Sequence, residues 1–355
     1  MSSEKYKIGW GFGKCNMFCE HCYNASTKRA PVYSLAELKN IVDKNSDEIA
    51  DINFGTGEFS CNPNVLDLAR YIRQDYPEIL QSVTSNGYTL TQLGGKEIKN
   101  LFNDVDVSID FPDRDRHNQF RNHKQAWAWA IKSLEISKKF GIKATITTCI
   151  TSLTSDEDIS GLLAIAKKYN VAWRINWFRQ VGRGKGYLRL KPARVWEIIR
   201  FLSDKVIFES ISDPLFTAIL GLKNKMNVCG CGRRSCRIRP DLTVTPCVFL
   251  GEDWVSEYSI TQYNLSDIFE SKAFYNFRSR LPSRCRKCHL FEICEGGCSS
   301  RAILHNGDIN TPDDYCPIAT GINPDIYEDI KVLIDDEASY KVHDGYLCTL
   351  IMRPI

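Results

Sequence analysis

Gly13-Lys14-Cys15-Asn16-Met17-Phe18-Cys19-Glu20-His21-Cys22-Tyr23 follows directly on residues 6–11, a run that reads as a β-strand. Three thiols at C-x3-C-x2-C spacing, carried on a loop after a strand, can ligate three irons of a cubane cluster and leave the fourth iron open. Zinc and ferredoxin sites seek a fourth thiolate nearby, and no cysteine follows Cys22 before Cys61. A zinc site or coincidental loop cysteines are the alternatives.

Outward from that loop, residues 6 to about 178 alternate β-rich runs with helical patterns, which argues for parallel strands joined by crossover helices. Six such units are readable, with strands expected at 6–11, 49–54, 82–85, 105–110, 143–149 and 172–177. Helices are expected from the capping box Ser34-Leu35-Ala36-Glu37, over 63–75, over 124–140 with Gly141 as its stop, and over 157–169. Six parallel units make either a doubly wound sheet or an open barrel, and periodicity does not choose. A Gly-rich basic connection at 181–186 and a helix from Pro192 to about Lys205 put a boundary near residue 190.

The chain has 355 residues, 43% of them hydrophobic, enough to bury a large core. No stretch approaches 18 consecutive apolar residues, and the start MSSEKYKIGW lacks a signal-peptide pattern, so a cytoplasmic location without a membrane is expected. A net charge of +3 is too mild to imply nucleic acid. From Ile159 to Trp196, however, there are nine Lys or Arg and no Asp or Glu. That run is either a solvated face or a landing surface for an acidic peptide.

Fifteen cysteines in a cytosolic chain call for a metal explanation before a disulfide one. Three lie in the first 22 residues and nine between Cys229 and Cys316, leaving Cys61, Cys149 and Cys348 isolated. Those three read as buried or inert thiols.

The first motif resembles the signature of the radical S-adenosylmethionine (SAM) superfamily. The resemblance implies an α/β fold, a partial (β/α)6 barrel, in which Cys15, Cys19 and Cys22 hold a 4Fe-4S cluster whose open iron binds SAM. One-electron reduction would then release a 5′-deoxyadenosyl radical that abstracts a substrate hydrogen. Further pieces follow at later strand ends. Gly55-Thr56-Gly57-Glu58 resembles the motif that holds the methionine ammonium, with Thr at the family's second glycine. Ser85 and Asn86, Ser108 and Asp110, then His117 and Arg121, resemble positions around the SAM ribose and carboxylate. His21 stands where the family has an aromatic beside the adenine, and either stacks there or acts from behind.

Cys229, Cys231, Cys236 and Cys247, followed by Cys285-x2-Cys288-x5-Cys294-x3-Cys298 and Cys316, resemble the C-terminal SPASM domain, which binds two auxiliary 4Fe-4S clusters. Two zinc ribbons are the alternative. By the family pattern Cys247 and Cys298 join upstream cysteines at one auxiliary cluster, while Cys285, Cys288, Cys294 and Cys316 hold the other. Cys229, Cys231 and Cys236 compete for at most two upstream places. Leu242 stands where the family has Gly, so a different turn before Cys247 is expected. The resulting divisions are a barrel at 1–190, a helical bridge at 191–222, the SPASM domain at 223–320 and a tail at 321–355. The tail is expected to form a helix over 324–335 and a strand over 346–352.

Cofactors implied are three 4Fe-4S clusters and SAM. The implied reaction is oxidative modification of a ribosomally made precursor peptide, by crosslinking or a backbone change. A small-molecule reaction on a porphyrin-like or sugar-nucleotide substrate is the runner-up, and a non-catalytic iron-sulfur electron carrier comes third. Val248 stands where sulfatase maturases carry an Asp, which argues against sulfatase-type oxidation. No domain is expected ahead of the first strand, so a leader would dock on the barrel, on the SPASM surface or on a separate leader-binding protein. An electron donor such as flavodoxin or ferredoxin is implied. The acid or base of the chemical step is not named by the sequence.

Overall fold

The computed structural model describes residues 5–26, 29–222, 228–335, 337–338 and 341–355. Six strands in chain order form its centre: β1 (Tyr6–Gly11), β2 (Ile49–Thr56), β3 (Leu80–Ser85), β4 (Asp104–Ser108), β5 (Ala144–Ile150) and β6 (Ala172–Trp177). Each pairs in parallel with the next. Crossovers are supplied by α1 (Leu35–Asn45), α2 (Val65–Asp75), α3 (Tyr88–Leu93) with α4 (Gly95–Leu101), α5 (Arg114–Phe120) with α6 (Ala126–Phe140), and α7 (Asp156–Tyr169). A parallel sheet covered by helices is buried on both faces. All five residues of β4 are buried accordingly.

The expected helix signals are physical ones. At α1 the Ser34 hydroxyl accepts from the Glu37 amide at 3.2 Å while Glu37 accepts from the Ser34 amide at 2.7 Å. Gly141 stops α6 in the left-handed conformation at φ 63°. The pair α3 and α4 escaped the sequence reading because Gly94-Gly95 splits one crossover into two short pieces.

After β6 come α8 (Pro192–Leu202), β7 (Val206–Ile211) and α9 (Pro214–Ile219). The stretch expected to be a helical bridge therefore contains a strand. The cysteine-rich region adds β8 (Ser235–Ile238) and β9 (Val244–Thr245), and the tail adds β10 (Leu333–Ile334) and β11 (Thr349–Pro354). Among the described residues these strands form one sheet in the order β10-β7-β11-β6-β5-β4-β3-β2-β1-β8-β9. At one side β8 runs parallel to β1, and at the other β11 lies antiparallel between β6 and β7.

The tail departs most from expectation. Instead of a helix over 324–335 there is a single 3₁₀ turn at Pro324–Ile326, and Leu333–Ile334 pairs with β7. Pro324 and the Asn323 cap do start a helical turn. Pairing with an available sheet edge then prevails over local propensity. The final strand lies three residues later than expected at its start, and the segment before it enters the barrel.

Candidate functional site

One cavity is lined by Gly9 of β1, Asn53 and Gly55 of β2, Thr84 and Ser85 of β3, Ser108 of β4, Thr147 and Cys149 of β5, and Arg174 and Asn176 of β6. Six strands laid flat span about 24 Å, so sharing one cavity requires the sheet to curl into an open barrel. The cavity holds ≈ 1220 Å³ of non-atom space, part of it open to solvent.

The loop after β1 brings Cys15, Cys19 and Cys22 to the wall of this cavity. Glu58 N–H donates to the Lys14 carbonyl at 2.7 Å, and the Lys14 amide donates to Asn62 Oδ1 at 3.0 Å, so the two loops fix each other. Gly57, at φ 87°, is required there because a Cβ would meet the Lys14 carbonyl oxygen at 2.3 Å. Burial pushes the Cys15 thiol up, with Glu58 adding to it. Burial likewise raises Cys19 to about 11, against the pull of Arg121. Thiolates in this position need a cation beside them, a condition that cluster iron meets.

Glu58 is 1% exposed. Its Oε1 accepts from Ser85 Oγ at 2.6 Å and Thr89 N–H at 2.9 Å, and its Oε2 accepts from Asn86 N–H at 2.8 Å. Asn86 in turn donates to Asn16 Oδ1 at 2.8 Å. Thr56 Oγ1 pairs with the Tyr23 hydroxyl at 2.9 Å. Thus Glu58 after β2 and Ser85 and Asn86 at the end of β3 form one hydrogen-bonded set tied to the cysteine loop.

Asp110 and Arg121 also meet. Arg121 Nε donates to Asp110 Oδ2 at 2.7 Å, and the Cys149 amide donates to Asp110 Oδ1 at 3.0 Å. Burial opposes ionisation of Asp110, but Arg121 and the neighbouring His21 and His117 hold it down at about 2. His117 accepts from the Asp110 amide through Nδ1 at 3.1 Å, and burial, reinforced by Arg121, lowers it to about 3. His21 stacks flat on Phe120, with centroids 4.5 Å apart, and burial lowers it to about 4. Its Nδ1 is buried without a partner, as are Asn176 Oδ1 and the Tyr346 hydroxyl on the same cavity wall. Such orphaned polar atoms fit a polar cofactor.

In the second half, Cys229, Cys231, Cys247 and Cys298 line one pocket. Cys236 does not join them. It sits on β8 opposite Ile8, 1% exposed and packed in the main apolar core. Leu242 takes φ 62°, so the turn before Cys247 keeps the left-handed geometry that favours glycine, contrary to expectation. Cys285, Cys288, Cys294 and Cys316 form a second set linked by mutual charge effects, with burial raising Cys285, Cys294 and Cys316; Cys294 also lines the first pocket. Fully buried Arg301 braces this region, its Nη1 donating to Asp213 Oδ2 at 2.6 Å and its Nε to Asp313 Oδ1 at 2.8 Å.

Sequence reasoning missed two groups. The tail places His343 inside the barrel, where it contacts Thr84 Oγ1 at 2.9 Å and Asp104 Oδ1 at 3.3 Å, and places Tyr346 against Gly9. A Cβ on Gly9 would overlap the Tyr346 hydroxyl oxygen at 1.3 Å. No periodicity marks these residues.

The basic run is the other miss. Arg174 and Arg179 are each 3% exposed. Arg179 donates to Ser300 Oγ at 3.0 Å and to Cys298 Sγ at 3.4 Å. Arg183 donates to the Cys19 and Ser26 carbonyls at 3.0 and 2.8 Å, and Arg189 and Arg194 pair with Asp314 and Asp156. Arg174, Arg179, Arg183, Arg189 and Arg194 are thus engaged with groups of the fold, while Lys167, Lys168, Lys185 and Lys191 are exposed.

Residues 12–164 match the model of the radical SAM superfamily, and residues 229–289 match that of the SPASM iron-sulfur cluster-binding domain. The chain carries a radical SAM domain followed by a SPASM domain. It is 24% identical over 323 residues to mycofactocin maturase MftC of Mycolicibacterium smegmatis, covering 85% of this chain and 80% of that one. It is 24% identical over 354 residues to the AdoMet-dependent heme synthase of Methanosarcina barkeri, covering 89% and 97%. The antilisterial bacteriocin subtilosin biosynthesis protein AlbA of Bacillus subtilis is 23% identical over 306 residues, with 82% and 66% covered. Among solved structures, Streptococcus suis SuiB bound to S-adenosylmethionine superposes with a TM-score of 0.69 at 17% identity over 88% of this chain and 77% of that one. The anSMEcpe enzyme with bound AdoMet gives 0.66 at 19% identity over 87% and 94%. Both likenesses support the radical SAM fold. Among the described residues no helix is long and apolar enough to cross a membrane.

Proposed function

We propose that this radical SAM enzyme oxidatively modifies a ribosomally made precursor peptide, using three 4Fe-4S clusters and SAM. Cys15, Cys19 and Cys22 would hold the SAM-cleaving cluster. Cys285, Cys288, Cys294 and Cys316 would hold one auxiliary cluster, and the pocket of Cys229, Cys231, Cys247 and Cys298 the other. When bound, the first cluster and SAM supply a 5′-deoxyadenosyl radical that takes a hydrogen atom from the substrate.

The protein's own part is positioning. Glu58, through Ser85 and Asn86, orients the turn that faces the cysteine loop, and Oε2 of Glu58 keeps one lone pair for the methionine ammonium. Gly55, Thr56 and Gly57 provide the close backbone edge, and Ser108, Asp110 and Arg121 line the same cavity. His21, held flat by Phe120, presents a buried nitrogen to the cavity.

A single observation carries the oxidative reading. The SAM cavity and the thiol pocket of Cys229 share Arg179, Phe249 and Leu347 as a common wall. A cluster held by those thiols would accept an electron from a substrate radical in the cavity next door. Relatives named as a mycofactocin maturase and a subtilosin biosynthesis protein favour a peptide as substrate. The heme synthase relative, matched over 97% of its length, favours the runner-up, a porphyrin-like small molecule. A flavodoxin or ferredoxin would supply the reducing electron, and a separate leader-binding protein could present the peptide.

The test is anaerobic incubation of the reconstituted enzyme with SAM, a reductant and the product of any short open reading frame beside its gene. A peptide lighter by two hydrogens, with 5′-deoxyadenosine formed in step, supports the reading. Turnover of a porphyrin and none of the peptide refutes it.

A further inference from the structure

Cys348 stands alone in the sequence and reads there as an inert buried thiol. The fold gives it different company. It is 5% exposed and lines the same pocket as Cys229, Cys231, Cys247 and Cys298. Its thiol interacts electrostatically with those of Cys229 and Cys298. Cys229 is likewise linked to Cys231, and Cys231 to Cys247, so the five thiols around this pocket form one interacting series. The cationic Arg179, bonded to Cys298, lines the same pocket and acts on Cys348 as well. A cysteine packed as a small hydrophobe has apolar neighbours, as Cys236 does. Cys348 has thiols and a guanidinium.

Its place is fixed from both sides. Upstream, the Gly345 amide donates to Ser212 Oγ at 3.1 Å, and the Gly345 carbonyl accepts from the Gly230 amide at 2.8 Å. The Tyr346 carbonyl accepts from the Cys231 thiol at 3.4 Å. Downstream, Thr349 enters β11, whose Leu350 pairs with Ile175 of β6 and Ile211 of β7. The backbone thus threads directly past the Cys229–Gly230–Cys231 loop and delivers the next side chain to the pocket.

We propose that Cys348 is an iron ligand of the auxiliary cluster in this pocket, with Cys247, Cys298 and one thiol of the Cys229/Cys231 pair completing the four. A cubane takes four thiolates, so the other member of that pair is a fifth, exchangeable thiol. The consequence is mechanical. The same tail carries His343 and Tyr346 into the SAM cavity two to five residues upstream, so cluster ligation and the floor of the cavity are joined through one short segment. The inference rests on the reading that this pocket holds a cluster.

The test compares anaerobically reconstituted wild type with Cys348→Ala by iron content, by electron paramagnetic resonance of the reduced clusters, and by hydrogen exchange of residues 341–354. The expected result is loss of about a third of the iron. Should the fifth thiol take the vacated corner, iron is retained, but one auxiliary signal shifts in g-values and potential. In either case exchange in the tail becomes faster. If Cys348→Ala does not fold, Cys348→Ser keeps the shape while replacing sulfur by oxygen, and the same signal shift is expected. Equal iron, spectrum and exchange in wild type and variant overturn the inference while leaving the cluster reading intact. A wild type with no cluster beyond those of the other two cysteine sets overturns both.

Discussion

Replacing Glu58 by Gln removes one acceptor from a carboxylate both of whose oxygens already accept hydrogen bonds. The carboxylate takes two hydrogen bonds on Oε1 and one on Oε2, from Ser85, Thr89 and Asn86, and the residue is 1% exposed. If the amide oxygen keeps the Oε1 pair, the new NH2 group faces the Asn86 N–H, donor against donor. One charge-assisted bond worth about 1.5–3 kcal/mol is lost and the other two lose their charge. A net destabilisation of about 2–3 kcal/mol follows, concentrated in the Ser85 to Thr89 turn. Because Asn86 also holds Asn16 in the cysteine loop, SAM affinity should fall roughly ten- to hundredfold, about 1.4 kcal/mol per factor of ten. Anaerobic thermal unfolding reads the first effect and calorimetric SAM titration the second, with iron content unchanged. Lower stability with wild-type SAM affinity would limit Glu58 to holding the turn. No change in either measurement would refute the account of this carboxylate altogether.

Cys236→Ala should retain wild-type iron and cluster spectra, since Cys236 faces the apolar core, whereas Cys247→Ala should lose about a third of the iron or, where the fifth thiol takes the vacated corner, shift one auxiliary signal; the same iron and spectra in both variants would contradict the separation. Arg183→Ala removes donors from the Cys19 and Ser26 carbonyls and a cation stacked 3.8 Å from the Phe18 ring, so chelators should strip iron from the first cluster faster; an unchanged rate counts against its bracing role. His117, lowered to about 3 by burial, is neutral when folded but charges near pH 6.5 when unfolded. The unfolded state therefore binds the extra proton between those values, and stability falls as pH drops below about 6.5. His117→Asn should show a shallower decline in unfolding temperature between pH 7 and 5.5, and an identical slope would argue against this assignment.

How legible was the molecule? The six central strands and their main helices carry local signals: alternation of element types, capping at Ser34, a stop at Gly141. The cysteine loop and the pieces from Gly55 to Arg121 were legible because each follows a strand end, and parallel strands bring their ends together. What failed depends on distant chain. The acids that neutralise Arg189 and Arg194 lie at Asp314 and Asp156, so the basic run looked exposed. Cys348 looked isolated because 31 residues separate it from Cys316, a distance closed only by β11 docking between β6 and β7. Choosing among Cys229, Cys231 and Cys236 required knowing that β8 pairs with β1 and turns Cys236 inward.

On this reading Cys15, Cys19 and Cys22 hold the cluster that cleaves SAM. Measuring 5′-deoxyadenosine released from SAM under a strong reductant, by reconstituted wild type and by the variant with all three changed to Ala, tests it most directly. The account predicts release by the wild type and none by the variant, which still keeps roughly two-thirds of the iron in its auxiliary clusters. Continued release by the variant, or none by an iron-replete wild type, would contradict it.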